Sequence, residues 1–254
     1  MINRAALTAL TTRVGLSVLR ANTPGGRHRW ERTNHAGRAV DLCAGPASAL
    51  AVALGSGRVG GALFLAGVCG AYDDVVGARD PRRGFRAHMS ALRHGEVTSG
   101  AVKLFGVGAA GLLAGALLKE RAVDKVLAGV VIAGTAHFVN LVDVRPGRAV
   151  GAVLALGAPG LLRGGEAGEL SAAAMGAAAA VLPDDVAERS MIGDTGAHAL
   201  GAALGAAVVA GNGRAGLAAH AAALVAATVY GDKVSEAARS LSLAHIRAGS
   251  HPCG

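Results

Sequence analysis

The chain has 254 residues, 52% of them hydrophobic, 3% aromatic and 17% charged, with a mean hydropathy of +0.44. Soluble domains carry about a quarter of their residues as charges, so this composition excludes an ordinary soluble globular protein and indicates an all-α, polytopic integral membrane protein. The net charge of +8 gathers in two arginine-rich loops, which marks membrane topology rather than nucleic-acid binding.

The first apolar segment, Ile2 to Leu19, carries Arg4, Arg13 and several threonines. It either crosses the membrane or lies along its surface as an amphipathic helix. It runs into a basic loop with no small-residue cleavage site, unlike a secretory signal. That loop holds Arg20, Arg27, Arg29, Arg32 and Arg38. The next spans are Leu42 to Leu54 and Val59 to Val76, the latter closing on "GAYDDVVG". A second basic loop follows with Arg79, Arg82, Arg83, Arg86 and Arg93, in which His88 and His94 read as solvated.

Ser99 to Leu118 is the next span, and the mixed-charge turn "KERAVDK" leads to Val123 to Val142, which ends in "HFVNLVDVRPGRA". Ala149 to Leu162 and Gly168 to Leu182 follow. Thr195 to Ala210 opens on "MIGDTGAHALG", and Gly216 to Tyr230 is the last. The total is about nine transmembrane helices in one integral domain over residues 1–254, several of them shorter than the roughly 20 residues that cross a bilayer untilted. The Ala- and Gly-rich spans suit close helix packing, within the chain or in a homodimer. The tail from Tyr230 to Gly249, with Lys233, Arg239 and Arg247 between apolar positions, suits a helix on the inner leaflet. Cys43, Cys69 and Cys253 lack metal or disulfide-framework spacing.

The positive-inside rule puts both arginine-rich loops in the cytoplasm, hence the N-terminus outside and the C-terminus cytoplasmic. Two spans separate "YDDVVG" from "NLVD", and two more separate "NLVD" from "GDTG". Even numbers of crossings return Asp73, Asp74, Asn140, Asp143 and Asp194 to one face. Carboxylates at the ends of membrane helices are costly unless solvated, paired or metal-bound, so the group reads as a functional site. Several Asp oxygens with an Asn and no Cys or His cluster suit a hard cation such as Mg²⁺. Lys103 and Arg145, close to the acidic motifs, point to a phosphorylated substrate. Capping of a helix start is the competing reading for Asp194, whereas it accounts for only one member of the Asp73–Asp74 pair.

"GAYDDVVG", "NLVD" and "MIGDTGAHALG", with "RTNHAGRAVDLCAGP" upstream, resemble in order and sidedness the cytoplasmic signatures of the polyprenyl-phosphate N-acetylhexosamine-1-phosphate transferase superfamily. Phospho-N-acetylmuramoyl-pentapeptide translocase belongs to this superfamily. The resemblance covers about residues 30 to 205. It implies transfer of a sugar-1-phosphate from a UDP-sugar, with UDP-N-acetylhexosamine as donor, to polyprenyl phosphate, releasing UMP for cell-envelope glycan synthesis. It further implies a bacterial cytoplasmic membrane, Mg²⁺ as cofactor, and Asp73, Asp74 and Asp194 as catalytic and metal-binding residues. Asn140 and Asp143 then match the nucleotide-side motif, Lys103 a lysine near the phosphates, and His35 the histidine of the first loop.

The sequence departs from the family pattern after Asp143. Val144 stands where a glycine is usual, and Pro146 where a second acid belongs. Arg145 either supplies a phosphate contact in place of that acid or is an ordinary loop arginine. His198, inside the apolar run after "GDTGA", reads as a packed helix residue. Two other functions remain. One is a non-catalytic transferase-like scaffold or lipid-binding envelope protein, favoured by the missing acid. The other is a CDP-alcohol phosphatidyltransferase, whose longer acidic signature "DDVVGARD" only echoes.

Overall fold

The computed structural model describes residues 1–77 and 90–241. The chain is all-α, 80% helical. Among the described residues the helices include α1 (Ile2–Ala21), α2 (Ala44–Gly55), α3 (Gly60–Val76), α4 (Ser99–Leu118), α5 (Ala122–Val142), α6 (Arg148–Arg163), α7 (Gly165–Val186), α8 (Gly193–Ala210), α9 (Arg214–Val229) and α10 (Gly231–Ser240). The arginines at 79, 82, 83 and 86, with His88, and the tail from 242 onward lie outside the described residues.

Three segments are long and apolar enough to cross a membrane: Gly57–Val76, Ser99–Leu118 and Ala122–Val142. Two shorter apolar helices are Ala44–Gly55 and Arg214–Val229. The remaining segments read as spans in the sequence do form helices, but carry charge or are short. α1 holds Arg4 and Arg13, and α7 holds Glu166, Glu169, Asp184 and Asp185.

At the centre stands α8, packed against α2, α3, α5 and α7. Most of its side chains are buried, as expected of a helix that is apolar all round. Its small residues set the spacing, since a Cβ at Gly201 or Gly205 would lie 2.7 Å from the backbone of α5. That approach suits the small-residue packing of helices in lipid, where dispersion replaces the hydrophobic effect between helices. Outward, α1, α3 and α4 present exposed Leu7, Val14, Phe64, Leu65, Phe105 and Leu112.

The polar groups divide between two ends of the bundle. At one end Arg58 pairs with Glu166, Arg214 with Asp124, and Lys119 donates to the Asn212 carbonyl. The other end gathers the α3 C-terminus, the α8 N-terminus, the α5–α6 connection and an antiparallel hairpin, β1 (Glu31–Thr33) with β2 (Ala39–Asp41). This hairpin has no counterpart in the sequence reading. Its turn is closed by Asn34, whose Oδ1 accepts from the backbone N–H groups of Ala36 and Arg38. β2 also bridges to Ser190, which ties the hairpin to the connection before α8.

Candidate functional site

Asp73 and Asp74 fall in the last turn of α3, and Asp194 in the first turn of α8. Gly70 lets the two helices meet there, because a methyl group at this position would overlap the Asp194 carbonyl. Gly193, with φ +56°, adopts a left-handed conformation that suits glycine and turns the chain into α8.

The two adjacent carboxylates of α3 then do different things. Asp74 Oδ1 accepts from the Asp194 N–H at 3.0 Å, while Oδ2 accepts from the Thr195 N–H at 2.9 Å and the Thr195 hydroxyl at 2.6 Å. Asp74 therefore supplies, from another helix, the acceptor that the first N–H groups of α8 need, with its charge at the positive end of that helix. The Asp74 carbonyl in turn accepts from Arg32 Nη2 at 2.7 Å, which fastens the hairpin to the end of α3.

Asp73 faces the first turns of α4. Lys103 Nζ donates to Asp73 Oδ2 at 2.7 Å and also ion-pairs with Asp194 Oδ2. These side chains are 17–25% exposed, so the cluster is partly desolvated while remaining reachable from water. Like charges repel unless a cation sits between them, and here the ammonium is that cation. His198, one turn further along α8, is buried, and its Nδ1 contacts the Asp194 carbonyl at 2.7 Å.

The α5–α6 connection borders the cluster. Asp143 caps α5, and burial together with the carboxylates of Asp185, Asp194 and Asp74 pushes its carboxyl well above the usual range. Asp185 comes from the end of α7 and accepts from the Gly147 N–H at 2.6 Å, which anchors this connection. Its burial raises it to about 6 against the opposing pull of that N–H. Asn140 is half-buried on the last turn of α5, and Arg145 is exposed. His35 is exposed at the hairpin turn, whose neighbours Asn34 and Arg38 are held by Glu188.

Asp73, Lys103 and Asp194 thus meet directly, Asp74 joins them through the α8 N-terminus, and Asp143 lies within electrostatic reach. His35, Asn140 and Arg145 make no side-chain bond to this group among the described residues. No family model matches this chain, and no curated protein matches it significantly. Among the described residues no three His, Cys, Asp or Glu side chains meet in a metal-binding arrangement. Asp73 and Asp194 nonetheless converge on a single cation, and two carboxylates suffice for Mg²⁺, which usually completes its shell with waters and substrate phosphates. These oxygen donors are of the kind that suits a hard cation such as Mg²⁺, and in this structure the Lys103 ammonium holds the position between them.

Residues with no site role in the sequence reading also shape this end. Arg32, Thr195 and Asp185 fix the site's framework. Asp184 pairs with Arg13, Arg20 and Arg189. Burial opposes its ionisation, but the three guanidinium groups outweigh burial and hold it down to about 2.

Proposed function

We propose that the protein transfers a sugar-1-phosphate from a UDP-sugar to polyprenyl phosphate at the cytoplasmic face of a bacterial membrane. The observation that carries this reading is the convergence of Asp73, Asp194 and Lys103 at the end of an apolar helix, with Asp74 fixing α8 beside them. A lipid-linked phosphate keeps its tail in the bilayer, so the groups that meet it belong at helix ends. Phosphoryl transfer needs charge neutralisation and alignment more than covalent chemistry from the protein.

In the reaction, an oxygen of the acceptor phosphate forms the new bond to the β-phosphorus of the donor. The bond from that phosphorus to the bridging oxygen breaks, and UMP leaves. Lys103 neutralises phosphate charge, Asp73 and Asp194 hold the cation side of the site, and Asp143 and Asn140 border the donor. Asp73 and Asp194 would hold Mg²⁺, which would supply Lewis-acid stabilisation of the charge that develops. About nine crossings with the N-terminus outside complete the proposed topology.

A second reading, a non-catalytic transferase-like scaffold, draws on Lys103: an ammonium that already satisfies both carboxylates makes a self-contained structural ion-pair network. Purified protein with polyprenyl phosphate, Mg²⁺ and a panel of UDP-sugars distinguishes the two. UMP release with a UDP-N-acetylhexosamine supports the transferase. Silence with every donor supports the scaffold, and CMP release from a CDP-linked donor a phosphatidyltransferase.

A further inference from the structure

A half-open cavity of about 240 Å³ lies beside the end of α1, lined by residues including Arg20, Arg27, Trp30, Glu31 and Asp41, none of which belongs to the Asp73–Lys103–Asp194 cluster. Trp30 forms a fixed wall, because its indole N–H is committed to the Pro24 carbonyl at 2.7 Å. Arg20 donates Nε to Asp41 at 2.9 Å and Nη1 to Asp184 at 3.0 Å, yet among the described residues its buried Nη2 has no partner. A buried guanidinium donor left over in this way calls for an acceptor. Arg27 and Glu31 are exposed and make no ion pair among the described residues. The cavity therefore offers two guanidinium groups for an anion and one unpaired carboxylate for a cation.

The surface below it says where such a ligand comes from. Leu7, Leu10, Val14 and Val18, spaced three and four residues apart on α1, are each more than half exposed. They form one apolar stripe along α1, the helix whose last turn carries Arg20. We infer that this cavity binds the headgroup of a zwitterionic phospholipid of the phosphoethanolamine type, its acyl chains lying along the α1 stripe. The phosphodiester accepts from Arg20 and Arg27, and the primary ammonium pairs with Glu31 beside the Trp30 ring, whose face attracts cations. The site is independent of sugar transfer.

Native mass spectrometry of the full chain in detergent tests this with phosphatidylethanolamine, phosphatidylcholine and phosphatidylglycerol of identical acyl chains. Arg27→Gln and Glu31→Gln change exposed side chains and leave the Arg20 network intact. Phosphatidylethanolamine is expected at about 3-fold higher occupancy than phosphatidylcholine, whose methylated ammonium cannot donate, the range of one partly solvated ion pair. Glu31→Gln should abolish that preference, and Arg27→Gln should lower binding of both lipids. Displacement of the lipid by millimolar soluble phosphoethanolamine would support the headgroup chemistry while assigning the site to a water-soluble ester. No displacement would support the lipid. Equal occupancy of all three lipids, or a preference for phosphatidylglycerol that Glu31→Gln leaves unchanged, would overturn the inference.

Discussion

Replacing Asp74 with Asn should destabilise the protein more than the same change at Asp73, although the two residues are adjacent and chemically identical. Asp74 accepts from two backbone N–H groups and one hydroxyl at the start of α8. Asparagine keeps one acceptor oxygen and turns an NH₂ group toward donors, so at least one N–H at the helix start loses its partner. Hydrogen bonds to a charged acceptor contribute about 1.5–3 kcal/mol, and loss of an N-terminal cap costs about 1 kcal/mol. Both figures describe the same loss, so the cost in this partly buried position is about 2 kcal/mol. Asp73→Asn loses only its share of a lysine that Asp194 still holds, about 1 kcal/mol or less. At roughly 2–4 °C per kcal/mol for a chain of this size, Asp74→Asn should melt about 4–8 °C below wild type, and Asp73→Asn at most about 4 °C below it. Thermal unfolding of the variants in one detergent measures this. Equal melting of wild type and Asp74→Asn, or a larger loss at Asp73, would refute the assignment of Asp74 as the cap of α8.

Asp184, lowered to about 2 from an ordinary 3.8, contributes stability that is fully present above pH 4 and disappears as pH falls through 2. The gap between wild type and Asp184→Asn, about 2 kcal/mol at neutral pH, should therefore close in acid titrations of unfolding, and a gap that persists at pH 2 would contradict the three-arginine account. Gly70→Ala places a methyl group against the Asp194 carbonyl, so it should cost about 3 kcal/mol or prevent folding, whereas Gly61→Ala, which meets nothing, should melt like wild type. In a cysteine-free background, Ala36→Cys and Ala122→Cys should label from opposite membrane faces, and labelling from one face would overturn the proposed topology.

The helical class and the order of the helices were legible because each apolar run coincides with a helix to within a few residues, as Ser99 to Leu118 and α4 illustrate. The hairpin was not, since "ERT" and "AVD" are three-residue strands with no sustained alternation. The only local sign was Asn34 in "TNHAG", a turn-forming residue whose side chain closes the loop. Lys103 and the three acids of the cluster were found from charge at the ends of apolar runs. The division of labour inside the cluster was invisible, because the cap of α8 comes from a residue 120 positions away. The adjacent pair Asp184–Asp185 had the same signature as Asp73–Asp74. It went unread because it follows Pro183 beyond an apolar span, and because two of the three arginines that balance it, Arg13 and Arg20, lie more than 160 positions upstream.

The most direct test of the central claim follows the β-phosphorus of the donor. UDP-N-acetylhexosamine carrying ³²P at the β-position is incubated with the purified protein, polyprenyl phosphate and Mg²⁺, and the lipid is extracted. Sugar-1-phosphate transfer predicts label in the lipid in equal amount to the UMP released, none when Mg²⁺ is chelated, and a loss of about 100-fold or more in a folded Asp194→Asn variant. Label that stays wholly in the aqueous phase with wild-type protein across the donor panel would contradict the transferase account.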